Sequence, residues 1–298
     1  MMHRLFLWHR RHRLLTAFLS GAYFVSTVLL HEEVSMAADW ARITLGIGTY
    51  HMIITLIGVS AILAITGRLY RAIVREGSRR GPILFYWGLT VTLAALSYNT
   101  LMVTNIEAIH FPQYAFLALA VFSLAGSYGE TVTILTALGA LDEAYQYFVF
   151  KNWTYYDFND VILNLIGAAL GVVVVWTVLQ EEPAVTGHRP DGLPDLLKSP
   201  VYRTGAALVG TSLAFYASGL IGAYPGADSS HALFLLNKKG PAADFWVNLK
   251  WGKTYHIVTP AQGLVLSLIL LACYACMDLV PTADRGAQGR RGNSDSLT

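Results

Sequence analysis

Charge is what this chain lacks. Only 13% of its 298 residues are Asp, Glu, Lys or Arg, against 54% that are apolar, where a soluble domain carries roughly 25% charged residues. Mean hydropathy is +0.47. An ordinary soluble domain is thereby excluded, and a polytopic membrane protein is left. Cysteine is scarce as well. Cys273 and Cys276 are too few for a zinc site, and at helical i, i+3 positions a disulfide between them would be strained. They read as small packing residues. The sequence has no P-loop, no glycine-rich dinucleotide fingerprint, no Gly-x-Ser-x-Gly elbow and no internal repeat, so nothing points to the nucleotide-binding or serine-hydrolase classes. A net charge of +2 is no nucleic-acid footprint.

Long apolar runs, by contrast, are abundant. Eight of them, at about 14–31, 42–66, 82–104, 111–127, 130–150, 158–179, 202–223 and 257–280, approach the ~20 residues that cross the hydrocarbon as a helix. They are far too long for barrel strands. The predicted fold is therefore an all-α transmembrane helix bundle of about eight spans. Lys and Arg split 15 to 6 between the two sets of loops, and the richer set includes both tails. The positive-inside rule then places both termini in the cytoplasm and makes this a multi-pass protein of the plasma, or bacterial inner, membrane. The start also resembles a signal peptide, with a basic head, an apolar run and Ser35-Met36-Ala37. The run from Leu14 to Leu30 exceeds the ~7 to 15 residues of a signal core, however, which favours an uncleaved first span.

Residues 1–97 hold spans one and two and the start of span three, and residues 98–180 form the expected core. A charged, proline-containing cytoplasmic linker, 181–201, leads to a region, 202–298, with two more spans. Between those spans lies an outer loop with Trp246, Trp251 and Tyr255. Such amphipathic rings commonly sit at headgroup level, and a sugar-stacking platform is the weaker alternative.

One polar constellation interrupts the oily core. An ionisable group at membrane depth costs about 2.5 to 3.5 kcal/mol on insertion scales, so it seldom sits there without a partner or a task. Glu107, His110 and Tyr114 open span four, Asp142, Glu143 and Gln146 close span five, and Asp157, Asp160 and Asn164 open span six. With the N-terminus inside, all of them converge on the outer leaflet. Glu143 and Gln146 share a helix face, while Asp160, Asn164, Gly167 and Gly171 form one stripe. Gly167 and Gly171 make a small-xxx-small surface that admits a close neighbour. Asp160 is accordingly expected to face span five, and the same surface would suit a homodimer. His31, Glu32 and Glu33, with Tyr255 and His256, reach the same level. A purely structural account is also open: Asp157 as the N-cap of span six with Asp160 one turn on, and Glu143 paired to Gln146 and a tyrosine hydroxyl.

At these residues the chain resembles VanZ-like membrane proteins, the group named for a teicoplanin-resistance determinant. The resemblance rests on His110, Phe111 and Tyr114, then Asp142, Glu143, Gln146 and Phe148, then Asp160, Asn164, Gly167 and Gly171, three ordered elements over about 75 residues. Relatives often carry an arginine between the second and third elements. Here Lys151 and Asn152-Trp153-Thr154 occupy that stretch, so a point charge replaces a guanidinium fork. The resemblance implies an envelope protein that binds or modifies a lipid or lipid-linked precursor at the outer leaflet and lowers glycopeptide susceptibility.

Three functions suit the residues. In the first, Asp142, Asp157, Asn164, Gln146 and Tyr114 hold an envelope lipid headgroup, Lys151 and helix N-termini meet its phosphate, and the carboxylates suit a magnesium or calcium ion. In the second, Glu143 is a general base with His110 or Asp160 as its partner, hydrolysing a lipid ester or phosphoester with or without a metal. The third is a proton-coupled carrier relaying through Glu107, Glu143 and Asp160, which the lack of paired broken helices disfavours.

Overall fold

The computed structural model describes residues 2–75, 80–150, 154–178, 192–226, 231–240, 247–248 and 254–280. Lys151, Trp246, Trp251 and most of the 181–201 linker lie outside the described residues. The chain is all-α, with helices α1 (Met2–Arg11), α2 (Arg13–Leu29), α3 (His31–Leu45), α4 (Ile47–Arg75), α5 (Arg80–Thr100), α6 (His110–Ala125), α7 (Tyr128–Val149), α8 (Phe158–Val178), α9 (Leu193–Leu196), α10 (Pro200–Ala217) and α11 (Pro260–Ala275). Short 3-10 turns at Asn105–Ile109 and Cys276–Leu279 extend α6 and α11. Four two-residue strands complete the list: β1 (Ile221–Gly222) pairs in parallel with β2 (Phe234–Leu235), and β3 (Val247–Asn248) pairs antiparallel with β4 (Thr254–Tyr255).

Each of the eight apolar runs becomes a helix, but not each is an unambiguous span. Among the described residues five helices are long and apolar enough to cross a membrane: α4, α5, Asn105–Ala125, α8 and Pro260–Leu279. The first run differs most from expectation. It ends at a 55° bend, and α3 continues where a loop was expected. Leu30 leaves helical geometry at the bend (φ −90°, ψ 10°), with neither proline nor glycine beside it to announce a break. The Ser35-Met36-Ala37 stretch lies inside α3. α7 falls short because Glu130, Asp142 and Glu143 lie on it, and α10 because it opens with a proline and an arginine.

α8 is the axis of the molecule. Its apolar stretch is 83% buried, against 6% for α4, as expected for a helix that is hydrophobic on every side. It packs on α4, α5, α6, α7 and α11. The closest approach is to α6: a Cβ on Gly167 would stand 2.6 Å from the His110 carbonyl oxygen, and one on Gly171 would stand 2.5 Å from that of Ala115. The small-residue stripe therefore serves span four, not span five, and α6 of the same chain fills the face that a homodimer through Gly167 and Gly171 would need. The hydrophobic core also crosses the expected 98–180 boundary. Ile83, Tyr86 and Trp87 from α5, together with Tyr274 and Met277, are buried with Phe122, Tyr128 and Trp176.

Local sequence explains the tight α6–α7 hairpin. Gly126 takes the left-handed conformation (φ 75°) that closes α6, and Ser127 caps α7 by accepting from the Glu130 N–H. This turn is fixed from outside by Asp278, whose carboxylate accepts from Ser127 Oγ (2.6 Å) and from the N–H groups of Tyr128 (2.8 Å) and Gly129 (3.0 Å). A carboxylate on the first turn of a helix also suits the helix dipole.

Candidate functional site

At the opposite end of the bundle, α6 and α8 begin and α7 finishes. Their facing stripes carry His110 and Tyr114 on α6, Gly139, Glu143 and Gln146 on α7, and Asp160 and Asn164 on α8. All the polar ones are buried: His110, Tyr114, Asp142, Glu143, Gln146, Asp160 and Asn164 are each at most 5% exposed. The sequence placed these residues together, and the structure does bring them together.

His110 sits between two α8 side chains. Nδ1 lies 2.7 Å from Asn164 Oδ1, so this nitrogen carries a proton and donates. Nε2 lies 3.5 Å from Asp160 Oδ2. Both ring nitrogens are engaged, and the ring works as a cross-brace between α6 and α8. Asp160 thus faces α6, where span five was expected. Asn164 in turn lies against α7, because Gly139 has no side chain: a Cβ there would stand 2.9 Å from Asn164 Cβ. On α7, Gln146 Nε2 donates to Asp142 Oδ1 (3.1 Å) and Glu143 Oε1 (3.3 Å).

Four polar atoms of this cluster have no partner. They are Glu143 Oε2, Gln146 Oε1, Asn164 Nδ2 and the Tyr114 hydroxyl, out of seven such buried atoms among the described residues. Leaving a buried polar group unmatched costs about 1 to 3 kcal/mol. Four of the seven fall on the facing residues of α6, α7 and α8, shut off from solvent. Tyr114 lies within electrostatic reach of Asp142, Glu143 and Asp160, and His31 within reach of His110, Asp142 and Asp160. The N-terminal helices therefore contribute to the same neighbourhood.

Two of the expected site residues have structural duties instead. Asp157 is the N-cap of α8: its Oδ1 accepts from the Asn159 N–H at 2.9 Å, and its carbonyl accepts from the Val161 N–H. Burial first, and then the Asp160 carboxylate, push Asp157 up to about 7. Glu107 closes a capping box, accepting from the N–H groups of Val103 (2.8 Å) and Thr104 (3.0 Å). Neither has an unpartnered oxygen. A relay through Glu107 loses its terminal group.

Metal ligation finds little support in the arrangement. Among the described residues no three His, Cys, Asp or Glu side chains stand together in a way that would hold an ion. His110 and Gln146 engage one oxygen each of Asp160, Asp142 and Glu143.

Sequence reasoning missed Asn159, Gly139 and Tyr156. Asn159 is buried and fully used: Nδ2 donates to the carbonyls of Leu101 and His256, both at 2.8 Å, and Oδ1 accepts from the Val258 N–H at 2.9 Å. It ties the start of α8 to the segments after α5 and before α11. A polar residue at membrane depth off the Asp160 stripe was the available signal. Gly139 lies one turn before Glu143 on the same face, which only the packed structure makes meaningful. Tyr156 donates from its hydroxyl to the Ala140 carbonyl at 2.8 Å and helps to cover the cluster.

A strap completes the cover. The Tyr156 N–H donates to Leu236 and the Lys238 N–H to Thr154, both at 2.7 Å, around a Tyr155–Asn237 bridge. The Tyr147 hydroxyl donates to the Leu235 carbonyl, Lys238 Nζ lies 4.3 Å from the Tyr147 ring centroid, and Phe148 meets Phe234 edge-on. The described 231–240 segment thus lies over the site end of the bundle. The chain matches no family model, no curated protein and no solved structure.

Proposed function

We propose that the cluster binds the headgroup of an envelope lipid or lipid-linked precursor at the outer leaflet, and that the protein thereby lowers susceptibility to glycopeptides such as teicoplanin. The observation that carries this reading is the group of four unpartnered polar atoms on the facing residues of α6, α7 and α8. Buried polar atoms are matched as a rule, and a polar headgroup admitted when the cover parts or the helices separate would match these. The position at the end of the bundle and the charge split favour the outer leaflet. Phe234 of the strap meets Phe148 at the end of α7, beside Tyr147, so aromatic rings gather at the same end of the bundle. The resemblance to VanZ-like proteins supplies the envelope context and lies on these same residues.

A second reading has one specific observation in its favour. Glu143 Oε2 is the ionisable oxygen of the cluster without a partner, which suits a general base that activates water against a lipid ester or phosphoester. His110 does not suit the partner role, because both its nitrogens are taken. It is better cast as a positioning residue.

Mass spectrometry of envelope lipids and lipid-linked precursors from deleted, wild-type and Glu143→Ala strains tests both. Co-purification of one lipid with wild-type protein, lost in Glu143→Ala at equal membrane level, supports binding. A covalently altered lipid present only in the wild-type strain establishes catalysis. Identical profiles, no bound lipid and unchanged teicoplanin susceptibility would sink the proposal.

A further inference from the structure

An open groove of about 170 Å³ runs between α2 and α6, starting at the end of the bundle away from the cluster. Its walls are Leu19 on α2 and Phe116, Leu117 and Ala120 on α6. From Thr16 to Tyr23 it follows α2 for about 10 Å. The volume compares with the ~150 Å³ of an apolar cavity that holds benzene, so the groove takes a stretch of hydrocarbon and no bulky headgroup.

The polar residues along it have spent their hydroxyl protons. Ser20 Oγ donates to the Thr16 carbonyl (2.8 Å), Thr16 Oγ1 to that of His9 (3.0 Å) and the Tyr23 hydroxyl to that of Gln113 (3.4 Å). Walls of this kind favour an apolar guest.

The groove begins where α1 turns into α2, and this corner is basic. Arg11 and Arg13 are exposed there beside Arg10, and Arg13 uses Nη2 on the Leu124 carbonyl (2.9 Å). None of α1, α2 and α6 carries an Asp or Glu. The acids on the neighbouring turn are taken: Asp278 accepts from Ser127 and Tyr128, and Glu130 Oε1 accepts from Ser199 Oγ at 2.5 Å. Trp8 is 42% exposed and stands against His12, with 5.0 Å between ring centroids. Such rings commonly lie at headgroup level.

An apolar groove that ends at arginines, with no acid on its own helices, matches a lipid with hydrocarbon along its length and net negative charge at its head. We infer that the groove and the α1–α2 corner bind one anionic phospholipid, its acyl chain between α2 and α6 and its phosphate at Arg11 and Arg13. A headgroup that carries both a phosphate and an ammonium brings a positive charge to the same arginines and binds less well.

The test uses full-length protein in phosphatidylcholine nanodiscs doped equally with phosphatidylglycerol and phosphatidylethanolamine of matched acyl chains. Native mass spectrometry then identifies the lipid retained by the released protein. Phosphatidylglycerol should be retained selectively. Arg11→Gln should lower that retention about fivefold, the effect of one basic residue near a charged headgroup, and Ala120→Leu, which narrows the groove, should lower it at least as far. Since Arg11 is exposed and Ala120 lines an open groove, both variants should keep the wild-type thermal midpoint in detergent without added lipid. Added phosphatidylglycerol should then raise the wild-type midpoint more than that of either variant. If Ala120→Leu folds poorly, Leu19→Phe narrows the same groove from α2. Equal retention of the three lipids would mean ordinary boundary lipid and would overturn the inference. A preference for phosphatidylglycerol that survives narrowing of the groove would also overturn it, leaving only diffuse attraction to the arginines. Both results leave the headgroup reading of the cluster as it stands, because no residue of that cluster lines the groove.

Discussion

Removing the Asn159 side chain would leave two carbonyls and one amide without partners, all at the point where the segments after α5 and before α11 meet the start of α8. Each orphaned buried group costs about 1 to 3 kcal/mol, and water reaching the gap would recover part of that. Asn159→Ala should therefore destabilise the protein by about 3 kcal/mol, read as a fall in thermal midpoint in detergent, although Asn159 touches none of the unpartnered atoms. Asp157 makes a different prediction. Its folded pKa, about 7, lies above the ordinary 3.8, so the folded state holds this proton more tightly than the unfolded one. Stability from that proton is full below about pH 4 and is lost as pH rises through about 7. Asp157→Asn keeps an N-cap acceptor and carries no charge, so it should flatten the decline between pH 4 and 7. A chemical-denaturation series over that range checks it: an equally steep decline in the variant would assign the titration elsewhere. His110 completes the residue scale. With a proton on Nδ1 for Asn164 and Nε2 against Asp160, its value is geometric, and His110→Ala should separate α6 from α8 before it changes any chemistry.

Helix contacts depend on glycines whose importance differs sharply although the residue is the same. At Gly167 and Gly171 a side chain would strike the α6 backbone, whereas at Gly58 on α4 nothing lies within 4 Å. Gly171→Val should cost about 3 kcal/mol through forced separation of α6 and α8. Gly58→Ala should stay within about 0.5 kcal/mol, as an exposed position does. Thermal unfolding of the two variants in one detergent compares them directly, and equal tolerance would contradict the packing. The same glycines show how far the sequence could be read. Their spacing on one stripe with Asp160 and Asn164 was legible, because helical period is local. The identity of the neighbour was not, because every span offers an apolar face and only the packed bundle selects α6. The eight helices were legible for the same local reason. The 55° bend at Leu30 was not, since no proline or glycine marks it. Asp278 escaped notice because a single acid in the last turn of the last apolar run looks like the edge of a span. Its task, capping α7 from a distant helix, exists only in three dimensions.

The whole molecule is polarised. One end holds the Asp278 cap and the α6–α7 hairpin, and the other holds the cluster beneath its strap. Which end faces outward decides the function, because a headgroup site on the cytoplasmic side would meet a different set of lipids. We propose that the strap lies outside, since the residues on its side carry 6 of the 21 Lys and Arg and the positive-inside rule puts the poorer side outward. Two exposed lysines report on opposite ends: Lys239 beside the strap, and Lys198 just before α10, with its side chain 75% exposed. With Cys273 and Cys276 replaced by serine, Lys239→Cys should react with a membrane-impermeant maleimide on intact cells, and Lys198→Cys only after permeabilisation. The reverse pattern would turn the cluster toward the cytoplasm and end the outer-leaflet reading. The strap itself makes the second demand on the assembly. Since every polar residue of the cluster is nearly fully buried, a headgroup can enter only if the Tyr155–Asn237 bridge parts or the helices separate. In the same cysteine-free background, a disulfide between Tyr155→Cys and Asn237→Cys should therefore prevent uptake of lipid from an added envelope-lipid extract until a reductant is supplied. Uptake at the same rate in the oxidised protein would mean that lipids reach the cluster sideways, between α6, α7 and α8, and that the strap serves as a cover and not as the entrance.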